Sequence, residues 1–219
     1  MNRGTEDTSR RHDSEKSRSS ILSAATHMFA EKGLYGARID EIAKASGLNK
    51  NMIYVYFGSK EDLYLAVLTE LYGKMEKVED GILAKGLTGE ALVEEIIGSY
   101  FDFLSANPDF VDVLINENLM KGQYLAKLPR ESVQRSSFRQ LTDCIERDMD
   151  HGIFHRRAEA KQVLLTMITI CFSNFSNKYT LPQLMGDSGM KDFPSFMEKR
   201  KQQAKDIIMA YLMSDNQVT

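Results

Sequence analysis

The chain has 219 residues, 42% of them hydrophobic and 27% charged, enough for one large unit or two closely packed ones. A net charge of −3 would argue against a nucleic-acid binder if it were spread evenly. It is not: residues 1–60 hold ten Lys/Arg against seven Asp/Glu, and residues 61–219 hold eighteen against twenty-four, so a basic head precedes an acidic body, as suits a protein that presents one end to DNA.

Residues 1–14 lack apolar anchors and are expected to form a disordered tail. Arg10 and Arg11 are either a basic arm for DNA or part of a plain solvated tail. The most informative stretch follows, over residues 15–62. Ile39, Ile42 and Ala43 fall at i, i+3 and i+4 and give a short helix one apolar face. Gly47 can take the left-handed conformation that ends a helix, and Asn49 offers an N-cap for the next. Ile53 and Phe57 are four apart and face inward together, leaving Lys50, Asn51, Met52, Val55 and Tyr56 outward. Ser59 with Asp62 resembles a capping box that opens a third helix, along which Leu63, Val67, Leu71 and Met75 repeat at helical spacing. Two short helices joined by a glycine turn are the plan of a helix-turn-helix, which sets one helix in the major groove. Lysine and tyrosine reach phosphates, and asparagine pairs with base edges. Spacing alone also fits a solvated face on an ordinary helical hairpin.

Longer stretches carry a family likeness. They are Ile21-Leu-Ser-Ala-Ala-Thr-His-Met-Phe29-Ala-Glu-Lys-Gly33, Ile42-Ala-Lys-Ala-Ser-Gly47, and Tyr54-Val-Tyr56-Phe57-Gly-Ser59-Lys60-Glu61-Asp-Leu63. Over about the first third of its length the chain resembles the TetR-type transcriptional regulators. That resemblance implies an all-α protein with an N-terminal helix-turn-helix head and a larger helical body, here residues 63–219, for ligand binding and dimerisation. It implies a non-enzymatic, cytoplasmic, ligand-responsive regulator, a repressor that a small-molecule inducer releases from a palindromic double-stranded operator. The alternative is a DNA-binding adaptor or architectural protein whose body takes a protein partner. Carried onto this sequence, the DNA-contacting residues are Arg38, Asn49, Lys50, Asn51, Met52, Tyr54, Val55, Tyr56 and Lys60. One departure stands out. The family often has Thr-Ser or Thr-Thr before its second helix, and this chain has Ala37-Arg38; Ala37 cannot cap through its side chain, so the contact passes to Arg38 or to the backbone. In a dimer, two recognition helices reading one duplex lie about 34–36 Å apart, or a multiple of that.

Beyond the head every pattern is helical. One helix runs from Leu63 to about Lys85, where Gly86 ends it. Thr88 caps the next, to about Ala106; Asn107-Pro108 starts another, with Phe110, Val111, Leu114 and Ile115 at helical spacing. Pro129 opens a helix with the inner stripe Phe138, Leu141, Ile145 and Met149, ended by Gly152. A helix from about Glu159 to Tyr179, a loop marked by Pro182, Gly186, Gly189 and Pro194, and a final helix to about Met213 complete the chain. Val163 to Phe175 is apolar nearly all round, and the last helix carries a wide apolar stripe. Two copies can bury both as an intersubunit four-helix bundle, with Ile168, Phe172, Ile207, Ile208 and Tyr211 at the seam, which is also the dimer mode the resemblance implies. The other reading is that these residues face their own core.

Phe101, Met120, Phe138, Met167 and Phe172 are candidate walls of an adaptable ligand cavity. Cys144 and Cys171 form no CxxC and read as reduced, buried small residues. Gly152 separates His151 from His155, so the pair does not share a helix face and no metal site is expected. No phosphate loop or nucleophile elbow occurs, so neither catalytic residues nor a cofactor are expected. No membrane partner is expected either: residues 1–20 are polar, unlike a signal peptide, and Val163–Phe175 is too short to span a bilayer.

Overall fold

A computed structural model describes residues 3–185 and 192–215. Gly186 and Gly189, and the side chains of Arg10 and Arg11, lie outside the described part. The described residues form α-helices and one short 3-10 turn: α1 (Arg3–Gly36), α2 (Ile39–Ser46), α3 (Lys50–Phe57), α4 (Lys60–Ala84), α5 (Gly89–Ala106), α6 (Pro108–Leu119), α7 (Arg130–Val133), α8 (Ser136–Asp150), α9 (Ala160–Ser176), α10 (Leu181–Met185) and α11 (Phe193–Met213). Helix α1 begins at Arg3, inside the stretch whose composition points to a disordered tail. Between Gly4 and Gly33 there is neither glycine nor proline, so a helix seeded by the packed residues beyond Ile21 can propagate backwards at one hydrogen bond per residue. Gly33, at φ 65 and ψ 174, breaks it.

The chain divides into two compact units, Met1–Tyr72 with Asp112–Pro129, and Gly73–Val111 with Arg130–Thr219. The first does not stop at residue 62. Leu63, Tyr64, Val67, Leu68 and Leu71 of α4 are buried. The Tyr64 ring meets Phe29 and Tyr124 edge-on at 5.1 and 5.3 Å. The Asn116 amide donates to the carbonyls of Phe29 and Ala30, two that the break at Gly33 would otherwise leave exposed. Glu117 is buried on the stripe Phe110–Val113–Glu117 and accepts from the backbone N–H groups of Tyr124 and Leu125 at 2.8 Å and from the Tyr64 hydroxyl. Its oxygens replace water for the turn that follows α6.

In the second unit α5 packs on α9 and α11, and α8 packs on α9. Two local expectations change here, each for a stated reason. Thr88 precedes α5 but its side chain caps nothing; the buried Asp148 carboxylate from α8 takes the Gly89 N–H at 2.7 Å instead. Asn107 both closes α5, its amide donating to the Phe103 carbonyl, and opens α6, which starts at Pro108 as expected, its own carbonyl taking the Phe110 N–H at 3.1 Å. The helix expected from Pro129 is two, because Arg135 leaves helical geometry at ψ 142 and turns its guanidinium onto Glu79.

Glu79 is fully buried and accepts from Arg135 Nε at 2.9 Å and Nη2 at 2.5 Å, Ser137 Oγ at 2.5 Å and the Tyr100 hydroxyl at 2.6 Å. Burial pushes its carboxyl up, but the hydrogen bonds and charge of Arg135, with Ser137 and Tyr100, outweigh this and hold it below its ordinary value. The Tyr100 phenol is pushed far up by burial and by the Glu79 charge.

Candidate nucleic-acid interface

The head assembles through short-range contacts. Helix α2 ends at Gly47, left-handed at φ 71, whose N–H reaches the carbonyls of Ala43 and Lys44. Asn49 then caps α3, its Oδ1 accepting the Met52 N–H at 3.0 Å. With that oxygen engaged, only its amide hydrogens are left to face a phosphate. Ile53 and Phe57 point inward, 1% and 9% exposed, and Arg18 lies over the Phe57 ring at 5.0 Å. The opposite side of α3 is open: Lys50, Asn51, Tyr54 and Val55 are exposed, Met52 and Tyr56 half-buried. Val55 is 81% exposed, an apolar side chain in the open and suited to a thymine methyl.

Ser59 accepts the Asp62 N–H at 3.0 Å, as a cap should. Asp62, one methylene shorter than glutamate, accepts the Ser59 hydroxyl at 2.6 Å rather than its backbone N–H, so the reciprocal half of the box is absent. Lys60, the first residue of α4, is half-buried there. At the start of α2 the pattern inverts. Arg38 occupies the N-cap position, but a guanidinium has no acceptor. Glu41 supplies the cap from within the helix, accepting the Arg38 N–H at 3.3 Å while also holding Lys32 at 2.9 Å. That hydrogen bond and charge lower the Glu41 carboxyl and raise Lys32. The exposed Arg38 side chain projects from a helix N-terminus that needs nothing from it.

The other candidates divide. Phe101 and Met167 are buried, and Phe138 and Phe172 half-buried, all in the second unit; Met120 belongs to the first. Phe101 meets Phe175 edge-on at 5.6 Å, so one proposed cavity wall is also core packing. Of the seam residues, Ile207 is 51% and Tyr211 43% exposed, and Ile168 and Phe172 are half-buried. Ile208 is the exception. It is 3% exposed and packs inward with Ala204 and Leu212, because successive residues turn about 100° around a helix and 207 and 208 cannot share a narrow face. It therefore belongs to its own core. Leu165 and Met213, not anticipated at the seam, are 39% and 41% exposed. The signal for Leu165 is its i, i+3 offset from Ile168; Met213, six residues from Ile207, lies about 120° round α11 from it and on another face.

Three buried carboxylates, Glu79, Glu117 and Asp148, were not anticipated either. Each sits on an apolar stripe, Glu79 between Met75 and Ile82, which is a legible sign that an acid faces the core.

A capped helix-turn-helix with a polar outward face, attached to an all-helical body, defines a DNA-binding transcription regulator. Residues 21–67 match the bacterial regulatory proteins of the tetR family, and residues 90–208 match the tetracyclin repressor-like C-terminal domain. The chain belongs to the TetR family of transcriptional regulators. It is 28% identical to the transcriptional repressor NicS of Pseudomonas putida over 177 residues, 80% of this chain and 84% of the relative. It is 27% identical to the transcriptional repressor SCO4008 of Streptomyces coelicolor over 158 residues, 72% and 78% of the two chains. The fold is that of the fatty acid degradation regulator FadR from Bacillus halodurans, with a TM-score of 0.69 at 20% identity, covering 90% of this chain and 96% of that one. Among the described residues, no helix is long and apolar enough to cross a membrane.

Proposed function

We propose that the chain acts in the cytoplasm as a homodimeric repressor that occupies a palindromic operator and is released by a small molecule. The observation that carries the DNA-reading part is the outward face of α3, with Ile53 and Phe57 inside and Lys50, Asn51, Tyr54 and Val55 outside. Lys50, Asn51, Met52 and Val55 face the bases. Arg38, Asn49, Tyr54, Tyr56 and Lys60 hold phosphates.

Pairing of two copies is supported by the apolar side chains that α9 and α11 leave open, Leu165, Ile207 and Tyr211, with Ile168 and Phe172 half-buried beside them. Such a face is normally covered. Release is supported by the family and by the aromatic and methionine content around Phe101, Phe138, Met167 and Phe172, which suits an apolar ligand with few polar anchors. A ligand that binds better to the state with weaker DNA affinity shifts the population toward that state by its differential affinity.

Selection of a binding site from random duplexes, followed by titration at several salt concentrations, tests the assignment. Lys60→Ala is expected to weaken binding to every sequence and to lower the salt slope by about one unit. Unchanged binding at all salt concentrations would remove Lys60 from the interface.

A further inference from the structure

Two acids begin α2, and they are used differently. Glu41 is committed inside the head, to Lys32 and to the Arg38 N–H. Asp40 instead reaches across the Gly47 turn to the recognition helix. Its Oδ1 lies 3.0 Å from Nζ of Lys50, with the Asp40 side chain 74% and the Lys50 side chain 49% exposed. Lys50 is the first residue of α3, and its ammonium is held more firmly protonated by the Asp40 hydrogen bond and charge. An exposed carboxylate on this side of the head opposes phosphate, and α2 does not need it as a cap because Glu41 serves.

We propose that Asp40 is a positioning residue that sets the sequence specificity of the head by holding the Lys50 ammonium at the N-terminus of the recognition helix. The inference rests on the reading that the outward face of α3 meets DNA. A lysine free to swing takes whichever phosphate lies within reach, and that gain is the same on every sequence. Held by Asp40, Lys50 cannot reach a phosphate without leaving an unpaired carboxylate in the negative potential of the duplex. Every non-cognate duplex bears that cost. On the cognate duplex the held ammonium meets a base edge, the O6 and N7 acceptors of guanine being the match for lysine, and the pair stays intact.

The test compares wild type, Asp40→Asn, Asp40→Glu, Lys50→Ala and the Asp40→Asn/Lys50→Ala double variant. Each is titrated against a duplex recovered from random-sequence selection and a random-sequence duplex of equal length, at several salt concentrations. Asp40→Asn is expected to tighten the random duplex about fivefold and steepen its salt slope by about 0.9, leaving the selected duplex no tighter, so that the ratio between them falls about fivefold. Asp40→Glu keeps the ratio. In the Lys50→Ala background, Asp40→Asn no longer changes it. Thermal unfolding of each variant separates these effects from loss of a favourable charge at the α2 N-terminus. An equal gain on both duplexes, no change on either, or a ratio that falls just as far without Lys50 would overturn the proposal. Failure of the underlying reading looks different: Lys50→Ala and Lys60→Ala would then both leave binding to both duplexes unaltered, and the proposal would fall with it.

Discussion

The head carries its ion pairs in the open, whereas the body seals one, Arg135–Glu79, in its core and leaves others, such as Arg157–Asp150 and Lys85–Glu95, at its surface. Lys50–Asp40 and Lys32–Glu41 sit at the surface around the helix-turn-helix, where water screens them. Glu79 is sealed among Arg135, Ser137 and Tyr100, while Leu165, Ile207 and Tyr211 are left exposed. Surface chemistry thus separates the partners. A polar, charged face suits a polyanion, and a face of hydrocarbon suits a second copy of the same face. Exposure by itself would have distinguished neither.

The contrast breaks most sharply at the apolar face. Replacing Ile207 and Tyr211 together with Glu puts charge where the proposed seam excludes water, at a cost of several kcal/mol, on the order of the penalty for unpaired buried ions. Sedimentation is expected to show monomer, with affinity for the selected duplex lost. A variant that remains a dimer would mean that these side chains face something other than a partner subunit.

Next in size is the buried network. Glu79→Gln leaves Arg135 without its counter-charge and is expected to cost about 3–5 kcal/mol, read as a lower Tm with the helical signal intact before unfolding. The same group predicts a pH dependence. The native pKa of Glu79 is depressed, so its contribution is fully present above the unfolded carboxylate range and is lost as pH falls through the lower native value. Wild-type Tm is therefore expected to decline below about pH 4, with a shallower decline in Glu79→Gln. Equal slopes would show that Glu79 is not held ionised by this network.

A smaller effect sharpens the head side. Asn49→Ala removes the Oδ1 that takes the Met52 N–H and is expected to cost about 1 kcal/mol of stability, while Asn49→Gly costs a few tenths. Chemical denaturation of the three proteins checks this ordering.

The head was legible because its determinants are local. Gly47, Asn49, Ile53 and Phe57 act over one to four residues, and spacing reports such contacts directly. The body was legible as helices, but its junctions were not. Asp148 caps α5 from 59 residues away, Arg135 breaks a helix to meet a carboxylate 56 residues back, and Asn116 satisfies carbonyls 86 and 87 residues earlier. No local pattern encodes these pairings. Ile208 shows the related limit of a stripe: periodicity identified the apolar face of α11, but a stripe wide enough to face two ways does not say which residue takes the core and which the seam.

The central claim is that the outward face of α3 reads base sequence, and Asn51 tests it most directly. It is exposed, near the start of the helix, and of the residue type that pairs with adenine. Equilibrium binding of Asn51→Ala should weaken the selected duplex about 5- to 150-fold, corresponding to the loss of about 1–3 kcal/mol for one base contact, and leave a random-sequence duplex nearly unchanged. Equal affinity of wild type and Asn51→Ala for the selected duplex, or equal losses on both duplexes, would contradict the account.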